Sequence, residues 1–154
     1  MAVDRSYVTR NETERLRLEA LVGKWQQADL EHAMPAGWTV AGVLAHLAFW
    51  DQRAVILLDR WQSVGATPPP EDEVDVDWIN DAAKPLFLAL SPPRAADLAV
   101  AAAREADRRA AMLPDELVAR NTVAGTPVNL LRASHRREHL DEIERVLNHP
   151  RAAG

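Results

Sequence analysis

The chain has 154 residues, the size of one domain, and it is 47% hydrophobic and 27% charged, which is typical of a globular protein and excludes a disordered one. Its formal charge of −5, from 18 basic and 23 acidic residues, argues against a nucleic-acid partner, because phosphate neutralisation needs a basic surface. The absence of cysteine excludes disulfides, thiolate metal sites and a cysteine nucleophile. We expect a single domain over 1–154.

The N-terminal residues contain no apolar run of the kind that marks a secretory signal. The most apolar stretch, Val40 to Trp50, is too short to span a bilayer and contains a histidine. The sequence therefore predicts a soluble, cytoplasmic protein with no membrane partner.

The first predicted helix runs from about Asn11 to Ala28, with Asn11 and Glu14 as its capping pair. Its apolar residues recur at i, i+3, i+4 and i+7: Leu18, Leu21, Val22 and Trp25. A turn is predicted at residues 34–37, and Thr39 then caps a second helix that runs to a stop at Gly65. The apolar stripe of that helix consists of Val43, Leu47, Trp50, Ala54, Leu57, Leu58 and Trp61.

Three consecutive prolines at 68–70 cannot continue the helix, and residues 71–77 are predicted to form an acidic loop. A shorter helix is predicted over 76–90, with a kink or break at Pro85. Ser91 is the predicted N-cap of an alanine-rich helix that ends at Met112. Its small-residue stripe, which allows close helix packing, consists of Ala95, Ala99, Ala102, Ala106 and Ala110.

Thr126 and Pro127 are predicted to open the last helix, which runs to about Asn148. No strand alternation is strong enough to predict a sheet. Three long helices and one weaker helix predict an all-α four-helix bundle with a long crossover after the second helix.

Three histidines fall on predicted core stripes. His135 and His139 are four residues apart, so both rings lie on one face of the last helix, in line with Leu131 and Ile143, and His46 lies in the most apolar stretch of the chain. Buried imidazoles need partners, and a divalent metal satisfies several at once. Two other histidines, His32 and His149, are expected at the surface.

Hydrogen-bonded core histidines are the alternative interpretation of the same pattern. Around the three candidates, Trp50 can line a pocket, Arg53 can hold a substrate carboxylate, and Glu142 can orient an imidazole. Each of these three has an ordinary alternative as a core tryptophan, a surface arginine or a solvated glutamate.

Two stretches resemble one family. The segment from Trp38 to Asp51, WTVAGVLAHLAFWD, resembles the second-helix motif of the DinB/YfiT-like superfamily, which includes the N-terminal domain of mycothiol-dependent maleylpyruvate isomerase. The segment from Ser134 to Ile143, SHRREHLDEI, is similar to the H-x-x-x-H motif in the last helix of that superfamily. Residues 77–80, DWIN, lie where many members begin a helix with a similar Trp-Asn motif.

The resemblance implies an up-down-down-up four-helix bundle, often dimeric. It also implies a zinc or nickel ion held by three residues, which here map onto His46, His135 and His139, and a low-molecular-weight thiol such as mycothiol as a cofactor or co-substrate. In the isomerase the metal set usually includes a glutamate, where this chain has His135, and a second domain follows the bundle.

Two functional hypotheses follow. In the first, the protein is a metal-dependent transferase, isomerase or hydrolase acting on a small molecule, with the metal activating a water or a thiol. In the second, it is a metal-free, non-catalytic bundle that binds or sequesters a small molecule. Metal content distinguishes them.

Overall fold

A computed structural model describes residues 2–65, 67–69 and 73–149. Seven α-helices lie within these ranges, together with one minimal hairpin. The helices are α1 (Ser6–Lys24), α2 (Gln27–Glu31), α3 (Val40–Val64), α4 (Glu73–Ala89), α5 (Pro92–Met112), α6 (Asp115–Val123) and α7 (Ala133–Asn148). The hairpin pairs β1 (Ala33–Met34) with β2 (Trp38–Thr39) in antiparallel register across a 3₁₀ turn at Pro35–Gly37. The predicted all-α class is confirmed, and the two short strands escaped prediction because they are only two residues long.

Helices α1, α3, α5 and α7 form a four-helix bundle in which each packs on two neighbours, and α1 lies diagonally opposite α3. Side-chain pairs fix the directions. Asn11 and Arg17 of α1 bond to Ala133 and Asp141 of α7 in the same order, so these two helices run parallel. Tyr7 and Arg15 bond to Ala110 and Asp107 in reverse order, so α1 and α5 are antiparallel. On α3, Ala45 lies near Leu98 and Asp59 pairs with Arg109 of α5, so α3 and α5 run parallel, and α4 crosses over between them. The predicted up-down-down-up order and the long crossover are therefore what the structure has.

Helix α3 forms as its sequence predicts. The Thr39 hydroxyl oxygen accepts a hydrogen bond from the Gly42 amide at 3.0 Å, which caps the first turn. Gly65 ends the helix in the left-handed conformation, with φ of 77°, which a glycine adopts without steric cost. All five predicted stripe alanines of α5 are buried, which lets the parallel pair α3 and α5 approach closely.

Within the described ranges, α3 is the one helix long and apolar enough to cross a membrane by length and composition. Its 25 residues exceed the apolar stretch considered from sequence, because the stripe continues beyond Trp50. However, 72% of its most apolar window is buried by the rest of the fold, which is consistent with the core helix of a soluble protein.

The first helix departs from prediction at both ends. It begins at Ser6 and ends at Lys24, and residues 27–31 form a separate short helix. Asn11 is not a cap. It is 1% exposed, and its side chain bonds to the Leu130 carbonyl and the Ala133 amide, tying α1 to the start of α7.

The crossover also differs. Residues 71 and 72 of the predicted acidic loop lie outside the described residues, and from Glu73 the chain is already helical. Helix α4 continues through Pro85 without the predicted break. Pro85 and Asp81, whose carbonyl loses its usual donor, are both exposed, so water can satisfy that carbonyl.

The last helix begins six residues later than predicted, at Ala133, and Thr126 has a positive φ of 56° in place of the extended backbone that an N-cap adopts. Before it lies the unpredicted α6. The Asn121 side chain binds both the amide and the carbonyl of Val128, and these bonds hold the connecting loop in place.

Candidate metal centre

Three imidazoles converge between the antiparallel helices α3 and α7. The Nε2 atom of His135 lies 3.0 Å from Nε2 of His46 and 3.1 Å from Nε2 of His139. His46 is 8% exposed, and the other two rings are half-buried. The predicted meeting of these three side chains is what the structure shows, and the triad can hold a divalent metal ion.

Hydrogen bonds alone do not satisfy this arrangement. A neutral imidazole nitrogen carries either one proton or one lone pair, so Nε2 of His135 can complete a conventional hydrogen bond with only one of its two neighbours. The Nδ1 atoms of His46 and His139 are also buried, with no hydrogen-bond partner in the described ranges. A cation that accepts all three Nε2 lone pairs removes the conflict between them.

The spacing of the nitrogens also fits an ion. Ligand nitrogens held about 2.1 Å from a metal lie about 3.4 Å apart in a regular tetrahedron and about 3.0 Å apart in a regular octahedron. The observed separations of 3.0 and 3.1 Å have this size. Three protein ligands leave at least one position for a water or substrate, as in catalytic rather than structural sites.

Burial keeps the three imidazoles in the neutral form that binds metals. It lowers the pKa of His135 to about 2, helped by the neighbouring His139 and His46. It lowers the pKa of His46 to about 4, again with a contribution from His139. Burial also lowers the pKa of His139, although Glu138 and Glu142 act in the opposite direction.

A cavity of about 610 Å³ lies over the triad. Helices α3, α4 and α7 and the β1–β2 hairpin supply its walls, and its lining is mixed. The apolar and aromatic part consists of Met34, Pro35, Ala36, Trp38, Val43, Trp50 and Val76, and the polar part beside the histidines consists of Asn80, Asn129, Arg132, Glu138 and Glu142.

The structure places the other sequence candidates as follows. Trp50 lines the cavity and donates a hydrogen bond from Nε1 to Oδ1 of Asn80 at 2.8 Å. Glu142 also lines it, with Oε2 3.6 Å from Nδ1 of His139, which is too long for a hydrogen bond. Arg53 stacks on the Trp50 ring at 5.4 Å and is not among the described residues that line the cavity.

The two remaining histidines lie away from the triad. His149 is exposed, as expected from the sequence. His32 is half-buried beside the hairpin, with Nδ1 2.9 Å from the Ala33 carbonyl oxygen.

Residues 10–143, which include all three histidines, match the family model described as the DinB superfamily. The chain belongs to the DinB superfamily. Comparisons of this DinB-superfamily chain with curated proteins and with solved structures give no significant match. Its membership and its bundle agree with the expectation from the second-helix and last-helix motifs.

A buried ionic cluster lies next to the triad of this DinB-superfamily chain, and sequence reasoning missed it. Arg136, 1% exposed, forms a two-bond pair with Asp107 on α5 at 2.7 and 2.9 Å and also bonds to Oδ2 of Asp51 on α3. Arg132 bonds to the other oxygen, Oδ1 of Asp51, at 2.8 Å. Arg15 on α1 adds a bond to Asp107 at 3.1 Å.

The cluster joins all four bundle helices and fixes the orientation of α7, which carries two of the histidines. Burial alone disfavours the charge on Arg136, but Asp51 and Asp107 raise its pKa above the ordinary value, so it stays protonated. One sequence signal was available. Asp51 interrupts the apolar stripe of α3, and a charge at such a position needs a buried partner.

Proposed function

We propose that this DinB-superfamily protein is a divalent-metal-dependent enzyme that acts on a small molecule in the cavity, with His46, His135 and His139 as the metal ligands. One observation carries the proposal: three neutral Nε2 atoms lie 3.0 and 3.1 Å apart in a chain of contacts that hydrogen bonds cannot all satisfy. A cavity that opens onto those atoms supports a catalytic rather than a structural role.

The residues around the triad have separable roles in this proposal. A bound divalent ion supplies Lewis acidity, which lowers the pKa of a water or thiol that reaches it. The three imidazoles provide the lone pairs. Trp38 and Trp50 form walls that limit water around the substrate, and Glu138 and Glu142 are the cavity carboxylates able to accept a proton from it.

Zinc or nickel is the ion that the resemblance favours, and imidazole nitrogen suits both metals. A low-molecular-weight thiol such as mycothiol is the co-substrate that it favours. Because the chain has no cysteine, any reacting thiol must enter with a ligand. This gives a thiol-dependent transferase or isomerase, or a hydrolase if water takes the place of the thiol.

Elemental analysis of protein purified without a histidine tag tests the metal centre directly. We expect about one zinc or nickel ion per chain in the wild type and in His32→Ala, and much less in His135→Ala and His139→Ala. Added Zn²⁺ or Ni²⁺ should raise the melting temperature of the metal-free wild type but not that of the two triad variants.

Metal-free wild-type protein with no thermal response to either ion would contradict the proposal. If that protein still bound small molecules in the cavity, the metal-free, non-catalytic bundle would be the better interpretation. His32→Ala is the matched control, because it removes an imidazole that is also half-buried but lies outside the triad.

We also propose a cytoplasmic homodimer with no nucleic-acid partner. The side chains of Val74, Trp78 and Leu86 on α4 are 54%, 68% and 70% exposed, and apolar surface of this kind favours self-association. Sedimentation equilibrium of the wild type and of Trp78→Glu measures this, and a monomeric wild type would contradict the dimer.

A further inference from the structure

Arg132 lies at the polar end of the cavity, directly before the helix that carries two of the triad histidines. Its side chain is only 10% exposed, yet it lines the cavity together with His135. It is the N-cap residue of the 16-residue helix α7, whose N-terminus adds partial positive charge at this point.

Hydrogen bonds hold the guanidinium of Arg132 in place but do not occupy all of its donors. Its Nε donates to Oδ1 of Asp51 at 2.8 Å, and its Nη1 donates to the carbonyl of Asn129 at 3.3 Å. Its Nη2 has no hydrogen-bond partner among the described residues. A nine-tenths buried cation that lines a cavity and has one nitrogen without a partner can donate a hydrogen bond to an acceptor of a ligand.

The surrounding charges leave this end of the cavity positive. The buried cluster contains three arginines and two aspartates, and Arg136 already occupies Oδ2 of Asp51 and both oxygens of Asp107. The cavity glutamates lie at the other end of the triad, because position 132 precedes the histidines on α7 and Glu138 and Glu142 lie beside or beyond His139. An anion is therefore favoured at Arg132.

We propose that Arg132 binds a carboxylate of the substrate beside the histidine triad, with the apolar body of the substrate against Trp38 and Trp50. This inference deepens the proposed function and rests on it for the reacting centre. The unpartnered Nη2 has two N–H groups that can donate to a carboxylate, and the apolar part of the mixed lining suits the body of the substrate. The substrate class is thus a small carboxylic acid with an apolar or aromatic body. This assigns to Arg132 the role predicted for Arg53 from sequence.

Titration calorimetry of the wild type with three probes tests the inference without any variant. Benzoate should bind, and its neutral isostere benzamide should bind at least about tenfold more weakly, since a charged hydrogen bond is lost. Inorganic phosphate should bind more weakly than benzoate. Equal affinity for benzamide, tighter binding of phosphate, or no binding of benzoate in the millimolar range would each overturn the proposal.

Variants then assign the binding to one side chain. Arg132→Gln should lower the affinity for benzoate at least about tenfold. Arg132→Lys keeps the charge but loses the planar guanidinium, so its affinity should lie between those of the wild type and Arg132→Gln. Arg53→Gln and the exposed control Arg94→Gln should bind benzoate like the wild type. A loss in Arg53→Gln and not in Arg132→Gln would overturn the assignment. If Arg132→Gln does not fold, the lysine variant and the benzamide comparison decide.

Elemental analysis of the same samples separates this inference from the metal proposal. Benzoate binding that depends on Arg132 in a chain shown to take up no metal would support the carboxylate site and contradict the metal centre. A chain that takes up metal but shows no preference for benzoate over benzamide would support the metal centre and contradict the carboxylate site.

Discussion

Two polar clusters lie side by side in the bundle, and they differ in whether their polar atoms have hydrogen-bond partners. In the ionic cluster, both oxygens of Asp51 and of Asp107 accept hydrogen bonds from arginines. In the histidine triad, two Nδ1 atoms lack partners among the described residues and three Nε2 atoms crowd together. Breaking a buried cluster whose carboxylates are all paired leaves a charge without compensation, whereas nitrogens without partners can bind a ligand.

The largest effect should come from breaking the satisfied cluster. Arg136→Met leaves Asp51 and Asp107 buried with reduced compensation, and we expect the free energy of unfolding to fall by about 3–5 kcal/mol. Urea denaturation followed by tryptophan fluorescence measures it. The control is Arg104→Ala, which removes an ion pair with Glu19 whose arginine side chain is 63% exposed and should cost less than about 1 kcal/mol. Equal losses of unfolding free energy in the two variants would contradict the special importance of the buried cluster.

The triad should respond in the opposite way. His135→Ala should change the unfolding free energy of the metal-free protein by only about 1 kcal/mol, because no satisfied bond network is lost. It should nevertheless remove the stabilisation given by added Zn²⁺, which is about 2.7 kcal/mol at a free metal concentration of 100 Kd. Parallel denaturation curves with and without metal test this, and a metal response that survives in His135→Ala would refute it.

Acid should weaken the metal-free protein through the same imidazoles. Their pKa values are lowered in the folded state, to about 4 for His46 and about 2 for His135, while an unfolded imidazole titrates near 6.5. Below pH 6.5 these histidines therefore bind protons in the unfolded chain but not in the folded chain. The free energy of unfolding should therefore fall as the pH is lowered from 6.5 toward 4, by at most about 1.4 kcal/mol per pH unit for each histidine.

Denaturation midpoints measured between pH 7.5 and pH 4.5 follow this loss. The variant His46→Gln should show a shallower decline than the wild type, whereas His32→Ala, away from the triad, should show the same decline. An identical slope in the wild type and His46→Gln would show that the acid response comes from other groups.

The smallest expected effect concerns a neutral hydrogen bond on the cavity wall. Asn80→Ala removes the acceptor of Trp50 Nε1 and should cost about 1 kcal/mol, the ordinary value for one neutral bond. Because Trp50 is the residue whose surroundings change, its fluorescence should also shift. A loss as large as that of Arg136→Met would mean that the wall is as important to stability as the ionic cluster.

Periodicity predicted much of this molecule, because it reports which face of a helix is buried. It placed α3 between Thr39 and Gly65, and it put His46, His135 and His139 on inward faces. The ionic cluster escaped prediction because charged residues are usually assigned to solvent, and only the fold brings Asp51 beside Arg136.

The region before α7 escaped prediction for a different reason. Thr126 and Pro127 carry the local signature of a helix start, but contacts distant in sequence override it. Asn11, far away on α1, binds the Ala133 amide at the true start of α7, and Asn121 holds the loop through Val128. Local propensity contains no information about such partners.

The parallel arrangement of α3 and α5 requires a long connection, and that connection supplies α4 with Val76 and Asn80 on the cavity wall. The histidines and this part of the cavity wall thus belong to different parts of the chain. Substitutions in the connection can reshape which molecules enter while leaving the histidines and the ionic cluster untouched. Such a division separates the residues that set the shape of the cavity from those that form the histidine triad.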